Sequence, residues 1–176
     1  MSRHPGDELA AGTRVDHFRV LRLLGRGGMG EVYLARDARL GRKVALKLVR
    51  RESLGSSAGA VARFLFEART TARFNHPHIV TVYAVGEYNE SPYVALEYLE
   101  GQTLRERLDR GRPGVQEALR MALAIADALA EAHGHKVLHR DLKPQNVIIG
   151  RDGRLRVLDF GLAKIVEGPP GGAERG

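Results

Sequence analysis

A glycine-rich turn between two β-type runs restricts the possible folds of this chain more than any other feature. Gly25, Gly27 and Gly30 form a G-x-G-x-x-G pattern, preceded by FRVLRLL (18–24) and followed by EVYLARD (31–37). A dinucleotide-binding turn needs the third glycine to open a helix, and here a strand follows instead. The pattern therefore predicts a hairpin whose backbone can approach phosphate oxygens closely, because glycine has no Cβ.

The rest of the first half predicts an antiparallel sheet with one helix. A third β-type run follows as KVALKLV (43–49), and apolar residues then recur at helical spacing over 60–74. Two further runs, IVTVYAVGEY (79–88) and PYVALEYL (92–99), have the pattern of an antiparallel pair. We therefore expect five strands and one helix before residue 100.

The second half predicts helices first and short strands afterwards. A short helix is expected within 100–111, and an apolar stripe over 115–132 predicts a long buried helix with Gly134 as its C-terminal cap. The run NVIIGRDGRLRVLDF (146–160) predicts two short strands about a turn at Asp152-Gly153.

Composition narrows the classes of function. The 176 residues carry a net charge of +7 and no cysteine, which excludes disulfides, thiolate metal sites and a cysteine nucleophile. The basic residues are interleaved with acidic ones, which favours a solvated arginine-rich surface over a nucleic-acid-binding face. We find no secretory signal and no apolar stretch long enough to span a membrane, so we expect a soluble, cytoplasmic chain.

Two charged residues of the first half are predicted to meet. Lys47 lies on the third strand, and Glu67 lies on the helix face that is predicted to pack inward. Either residue alone has the simpler interpretation of a surface charge. An unpaired buried charge is costly, however, so an inward Glu67 needs a cation and an inward Lys47 needs an anion. The sequence therefore predicts a Lys47–Glu67 ion pair.

Two later motifs complete a recognisable set. HRDLKPQN occupies 139–146, and Asp159-Phe160-Gly161 follows it. With G-x-G-x-x-G-x-V, VALK and the helix glutamate, these are the protein-kinase signature elements in their usual order. From about residue 18 to 164 the chain resembles a bacterial Hanks-type (eukaryotic-like) serine/threonine protein kinase.

The resemblance implies an α+β, two-lobe fold and an activity. The fold would comprise a complete N-lobe (a five-stranded antiparallel sheet plus one helix) and a partial, mainly helical C-lobe. The activity would be transfer of the ATP γ-phosphate to Ser or Thr of a protein substrate. Lys143 resembles the serine/threonine pattern rather than the tyrosine-specific one.

The resemblance also implies a role for each catalytic residue. Asp141 would orient the acceptor hydroxyl and take its proton, and Lys143 would steady the transferring phosphate. Lys47 would pair with the α- and β-phosphates while Glu67 holds it. The expected Mg²⁺ ligands, which bind through oxygen, are Asn146 and Asp159.

The implied ATP pocket draws on both halves of the chain. Leu96 would lie at its back, and Glu97 and Leu99 would offer backbone hydrogen bonds to the purine. The full set of expected ATP-binding residues is Leu24, Gly25, Gly27, Gly30, Val32, Ala45, Lys47, Glu97, Leu99 and Ile148.

The expected organisation is an N-terminal arm (1–17), an N-lobe (18–99), a partial C-lobe (100–166) and a disordered Gly/Pro-rich tail (167–176). The A-P-E motif and later helices of a complete kinase domain are not found, so we expect a truncated chain that is weakly active or inactive alone. The alternatives are a nucleotide-binding regulatory fragment without transfer activity and a nucleic-acid-binding protein that is not a kinase.

Overall fold

A six-stranded antiparallel sheet, here called the large sheet, forms the first half of the molecule. The computed structural model describes residues 8–55, 59–73 and 75–160. The strand order is β1-β2-β3-β4-β6-β5. The strands are β1 (Arg14–Val15), β2 (Phe18–Gly27), β3 (Gly30–Asp37), β4 (Lys43–Val49), β5 (Val82–Tyr88) and β6 (Ser91–Glu97). Strands β2 to β6 confirm the five predicted strands, and β1 adds a two-residue strand at one edge.

Both faces of the large sheet are buried, because successive side chains along its strands pack alternately into two apolar clusters. On β6, Tyr93 and Ala95 pack in one cluster, whereas Val94 and Leu96 pack in the other. This alternation follows from the period of two in a strand. The second cluster includes Phe64 of helix α1 (Ala60–Thr71), so this helix covers one face of the sheet. Helix α1 ends before the predicted boundary at residue 74.

The part of the N-terminal arm that the structure describes packs against the large sheet. Leu9 and Val15 are buried in the cluster on the face of the sheet away from α1. The Leu9 N–H also donates to the Tyr33 hydroxyl at 3.0 Å. The polar composition of this segment obscured its few apolar side chains, which supply this packing.

The second half combines two helices with a three-stranded antiparallel sheet, here called the small sheet. Helix α2 (Leu104–Asp109) begins at a capping box formed by Thr103 and Glu106. The small sheet has the order β7-β8-β9, with strands β7 (Gly101–Thr103), β8 (Val147–Gly150) and β9 (Leu155–Val157). Strands β8 and β9 confirm the predicted pair, and β7 is an unpredicted third strand.

Helix α3 (Val115–Gly134) differs from its prediction in two ways. Gly134 is its last helical residue and not its cap, and the cap is His135. Only Ala128 and Ala132 of this helix are buried, whereas Leu119 and Leu123 are exposed. The apolar stripe is therefore fully buried only near its C-terminal end, and Met121, Ala124 and Ile125 are partly buried against the same core.

The core of the second half is a cluster that joins α2, α3 and the small sheet. Its buried members are Ile79, Leu104, Ala128, Ala132, Val147, Leu155, Val157 and Phe160. None of the helices within the described residues is both long and apolar enough to cross a bilayer. Gly161 and the expected tail at 167–176 lie outside the described residues.

Candidate active site

The glycine-rich turn is the hairpin that the sequence predicts. Gly27 pairs with Gly30 across β2 and β3. A Cβ at Gly30 would overlap the Leu48 carbonyl oxygen, and its φ of +151° is strained for any other residue. A Cβ at Gly25 or Gly27 would meet no atom within 4 Å. The fold itself therefore requires glycine at Gly30, whereas Gly25 and Gly27 border open space.

Lys47 and Asp159 form an ion pair between the two halves of the molecule. The Lys47 Nζ lies 2.6 Å from Asp159 Oδ2. The Lys47 side chain is 10% exposed and that of Asp159 is 23% exposed. Strand β4 supplies the lysine, and the segment that follows β9 supplies the aspartate. The pair thus brings together a predicted phosphate-binding residue and a predicted metal ligand.

The predicted Lys47–Glu67 ion pair is wrong: within the described residues, Glu67 pairs with a different cation. Its Oε2 lies 3.8 Å from Nη1 of Arg140, and its side chain is 30% exposed. Lys47 is paired with Asp159, so neither charge is left uncompensated. The demand for a counter-charge was predicted correctly for both residues, but both partners come from the second half of the chain.

The Asp141 carboxylate is held by two neighbours in the HRDLKPQN segment (139–146), here called the catalytic loop. Lys143 Nζ lies 2.7 Å from Asp141 Oδ2, and Asn146 Nδ2 donates to the same oxygen at 3.0 Å. The Asn146 amide also donates to the Asp141 carbonyl oxygen at 2.8 Å. The hydrogen bond from Lys143 holds the pKa of Asp141 below its ordinary value, although partial burial opposes this shift. Asp141 is therefore an oriented, ionised carboxylate at neutral pH.

His139 joins the catalytic loop to the segment that carries Asp159. Its Nδ1 accepts from the Asp141 N–H at 3.2 Å, so its Nε2 donates to the Leu158 carbonyl at 2.7 Å. Its ring packs edge-to-face on Phe160, with centroids 4.8 Å apart. Burial lowers the pKa of His139, which favours the neutral ring. His139 is a structural connector between the two motifs.

Two residues of these motifs have a strained backbone conformation. Arg140 and Asp159 have φ angles of +66° and +56°, which non-glycine residues rarely adopt. Such strain persists only where the surroundings enforce it. Phe160, which follows Asp159, is buried in the core of the second half. This packing and the His139 hydrogen bond hold the strained segment in place.

Several of the predicted purine-binding residues lie on neighbouring strands. Val32 is in register with Lys47, and Ala45 is in register with the buried Leu96. The Glu97 N–H donates to the Thr81 carbonyl at 2.8 Å, so this N–H is already engaged and does not offer the predicted purine contact.

Three further predicted residues lie apart from these strand pairs. Leu24 is on β2 and exposed, Ile148 is on β8, and Leu99 is half-buried in the segment between β6 and β7. Each of the three belongs to a different element of the fold, and their roles in purine binding remain predictions.

Sequence reasoning missed the part that Thr71 plays in this site. Its hydroxyl lies 3.1 Å from the Glu67 carbonyl and 3.5 Å from the Phe160 carbonyl, so it connects α1 to the segment around Asp159. Thr71 also borders a small cavity between α1, the large sheet and Phe160. Its position four residues after Glu67, on the same helix face, was the available signal.

The fold and the order of these motifs are those of a protein kinase domain. Residues 18–172 match the protein kinase domain family. The chain therefore belongs to the protein kinase family.

Known relatives agree with this assignment. The chain is 47% identical over 147 residues to the probable serine/threonine-protein kinase SCO3848 of Streptomyces coelicolor, covering 81% of this chain and 22% of that protein. It is 39% identical over 154 residues to the serine/threonine-protein kinase PrkC of Bacillus subtilis, covering 86% of this chain and 24% of that protein. The chain therefore spans less than a quarter of the length of these relatives.

A solved structure shares the architecture. The kinase domain of Mycobacterium tuberculosis PknI superposes with a TM-score of 0.80 at 34% identity, covering 89% of this chain and 62% of that domain. The predicted α+β, two-lobe kinase fold is confirmed, with the large sheet and α1 as the N-lobe.

Proposed function

We propose that this chain carries the ATP site and catalytic loop of a serine/threonine protein kinase, which transfers the ATP γ-phosphate to Ser or Thr of a protein substrate. The observation that carries the proposal is the arrangement around Asp141, whose carboxylate lies within 3.0 Å of both Lys143 and Asn146. Such a carboxylate suits the orientation of an acceptor hydroxyl and the removal of its proton.

Asp141 acts mainly by orientation in this proposal. Because its pKa lies below the ordinary value, it is ionised at neutral pH but is a weak base. Its main contribution is therefore to aim the hydroxyl at the γ-phosphorus atom. It accepts the proton as the new oxygen–phosphorus bond forms and the bond from the γ-phosphorus to the β,γ-bridging oxygen breaks, which releases ADP. Lys143 is close enough to Asp141 to neutralise charge on the transferring phosphate at the same point.

Lys47 and the glycine-rich turn serve the nucleotide phosphates in this proposal. The Lys47 ammonium is largely desolvated, which strengthens its attraction for an anion. Its present partner is the Asp159 carboxylate. Phosphate oxygens carry the same sign of charge and so suit the same ammonium.

The side chains proposed as metal ligands fit Mg²⁺ in their chemistry. The Asn146 Nδ2 donates to Asp141, which leaves the Asn146 Oδ1 as an acceptor with no partner among the residues that the structure describes. Asp159 engages Lys47 through Oδ2, and its second carboxylate oxygen is not used in that contact. Both residues therefore offer the hard oxygen donors that Mg²⁺ prefers. Bound Mg²⁺ would neutralise charge on the β- and γ-phosphates.

One observation favours nucleotide binding without transfer as a second candidate. Glu67 is paired with Arg140 and not with Lys47, whereas phosphoryl transfer in protein kinases requires the lysine–glutamate pair. Transfer therefore requires that Lys47 leave Asp159, that Glu67 leave Arg140, and that the two pair with each other.

The cytoplasmic location and the lack of a nucleic-acid partner remain predictions.

A transfer assay distinguishes these two candidates. The 176-residue chain is incubated with γ-³²P-labelled ATP, Mg²⁺ and a Ser/Thr-rich protein, and labelled amino acids are identified after hydrolysis. We expect label on Ser or Thr at a turnover well below the typical ~1–100 s⁻¹. Asp141→Asn should abolish the label, whereas the control Asp109→Asn, an exposed aspartate on α2, should retain it.

Two outcomes oppose the proposal. Nucleotide binding with no label in any variant would favour the regulatory fragment. Equal labelling by the wild type and Asp141→Asn would show that Asp141 takes no part in the transfer.

A further inference from the structure

The segment that follows β4 (residues 50–53) donates hydrogen bonds to the backbone carbonyls at the tip of the glycine-rich turn. The Arg50 N–H donates to the Met29 carbonyl at 2.9 Å. The Arg50 guanidinium donates through Nη2 to the Gly27 carbonyl at 2.6 Å and to the Gly28 carbonyl at 3.2 Å. The Ser53 hydroxyl also donates to the Gly28 carbonyl, at 3.2 Å. Three successive carbonyls of the turn are therefore bound by two residues of one short segment.

These contacts fix the direction of the peptide N–H groups. In a trans peptide the N–H points opposite to the C=O, and the described part of the chain has no cis peptide. Binding of the Gly27 carbonyl thus orients the Gly28 N–H, and binding of the Gly28 carbonyl orients the Met29 N–H. Within the described residues, neither N–H donates to another protein group. Both are free to bind an anion.

We propose that Arg50 is a positioning residue for phosphate binding, and that Ser53 assists it. Arg50 holds the two peptides that join Gly27, Gly28 and Met29, so that their N–H groups are ordered before a nucleotide phosphate arrives. Arg50 itself contacts only the far side of these peptides. The identity of the anion rests on the proposed function.

The chemistry of arginine suits this task. Its guanidinium presents several donors in a rigid fork, so one side chain can bind two carbonyls. Glycine peptides lose more freedom on ordering than any others, so an unheld turn would reduce the affinity for phosphate. The close approach of Gly30 to the Leu48 carbonyl brings the turn beside this segment.

The experiment compares ligands that share the nucleoside but differ in phosphate. Affinities for adenosine, ADP and ATP are measured by titration calorimetry with the full chain. We expect Arg50→Ala to weaken ATP and ADP about five- to tenfold and to leave adenosine within about twofold. Ser53→Ala should show a smaller loss of the same kind, and Arg50→Lys should recover part of the affinity.

Arg51→Ala is the matched control because it removes the same charge from the adjacent position. Arg51 lies 3.5 Å from Glu90 and is exposed, away from the turn. We expect it to leave all three affinities unchanged. An equal loss of ATP affinity in Arg51→Ala would show that only net charge matters and would overturn the proposal.

A second readout tests positioning in the absence of a nucleotide. The ¹⁵N relaxation of the Gly28 and Met29 amides should show greater mobility in Arg50→Ala than in the wild type. Unchanged mobility would refute the proposed role, as would an equal loss of adenosine and ATP affinity. If Arg50→Ala does not fold, Arg50→Gln replaces it and should give a smaller effect of the same pattern. If the wild type binds no ATP, that result would instead contradict the proposed function.

Discussion

The Lys47 ammonium lies 2.6 Å from the Oδ2 atom of Asp159, although the two residues are 112 positions apart in the sequence. The pair connects the large sheet to the segment after β9. Both side chains are mostly shielded from solvent, so the attraction is less screened than in a surface pair. The pair therefore couples the stability of the two halves and places Lys47 beside a proposed metal ligand.

The energetic coupling of this pair is measurable by a double-mutant cycle. We expect Lys47→Met, Asp159→Asn and the double variant to give a coupling free energy of about 1–3 kcal/mol in urea unfolding. The Arg51–Glu90 pair is the control, because its side chains are 59% and 85% exposed. Its coupling should be close to zero. Equal coupling in the two cycles would contradict the account of the Lys47–Asp159 pair.

The burial of Phe160 predicts a large loss of stability on truncation of its side chain. Phe160 is 1% exposed and packs with His139 and the core of the second half. We expect Phe160→Ala to lower the free energy of unfolding by about 3–5 kcal/mol, because it leaves a cavity. Phe66→Ala removes the same group from an exposed site on α1 and should have little effect. A similar small effect for both variants would show that Phe160 is not packed as described.

The ion pair in the catalytic loop predicts a change in the titration of Asp141. The hydrogen bond from Lys143 is the main cause of its lowered pKa. Lys143→Met should therefore raise the pKa of Asp141 towards the ordinary aspartate value, as followed by NMR of the carboxyl carbon. Lys43→Met, which instead removes a contact with Glu100, should leave that pKa unchanged. No rise in Lys143→Met would rule out Lys143 as the cause.

The buried His139 predicts that stability falls in mild acid. Its folded pKa lies below the ordinary histidine value of about 6.5, because burial disfavours the charged ring. Between the folded pKa and ~6.5 the unfolded chain binds more protons, so the free energy of unfolding decreases as the pH falls through this range. Urea unfolding at about pH 7.5 and about pH 5.5, on either side of the ordinary histidine pKa, measures the decrease.

One variant isolates the contribution of His139 to this pH dependence. His139→Asn should reduce the difference in the free energy of unfolding between the two pH values. If the free energy of unfolding of His139→Asn falls between the two pH values as much as that of the wild type, the pH dependence arises from other groups.

Local patterns predicted most of the fold. Period-two alternation identified the strands on both sides of Gly25–Gly30, and helical periodicity identified α1 and α3. The prediction missed β7, because Gly101–Thr103 becomes a strand only by pairing with β8. The packing of Leu9 and Val15 was missed for a similar reason, since it depends on the sheet that they cover. Local sequence carries little information about contacts of this kind.

The site was predictable in its residues but not in their pairing. The order of the motifs is sufficient to identify Asp141, Asn146 and Asp159 as candidates. The physical demand for counter-charges on Lys47 and Glu67 was sound, yet Asp159 and Arg140 meet that demand from the other half of the chain. A charge argument gives the need for a partner but not its identity when several candidates exist.

Titration of Mg²⁺-ATP into the wild type, Lys47→Met and Asp159→Asn by calorimetry tests whether this chain holds a nucleotide site at the Lys47–Asp159 pair. We expect the wild type to bind with a Kd between about 1 μM and 1 mM, within the usual range for enzyme substrates. Both variants should bind at least about tenfold more weakly, because each removes a charge that we propose to contact the phosphates or their metal. No binding by the wild type, or unchanged affinity in both variants, would contradict the assignment.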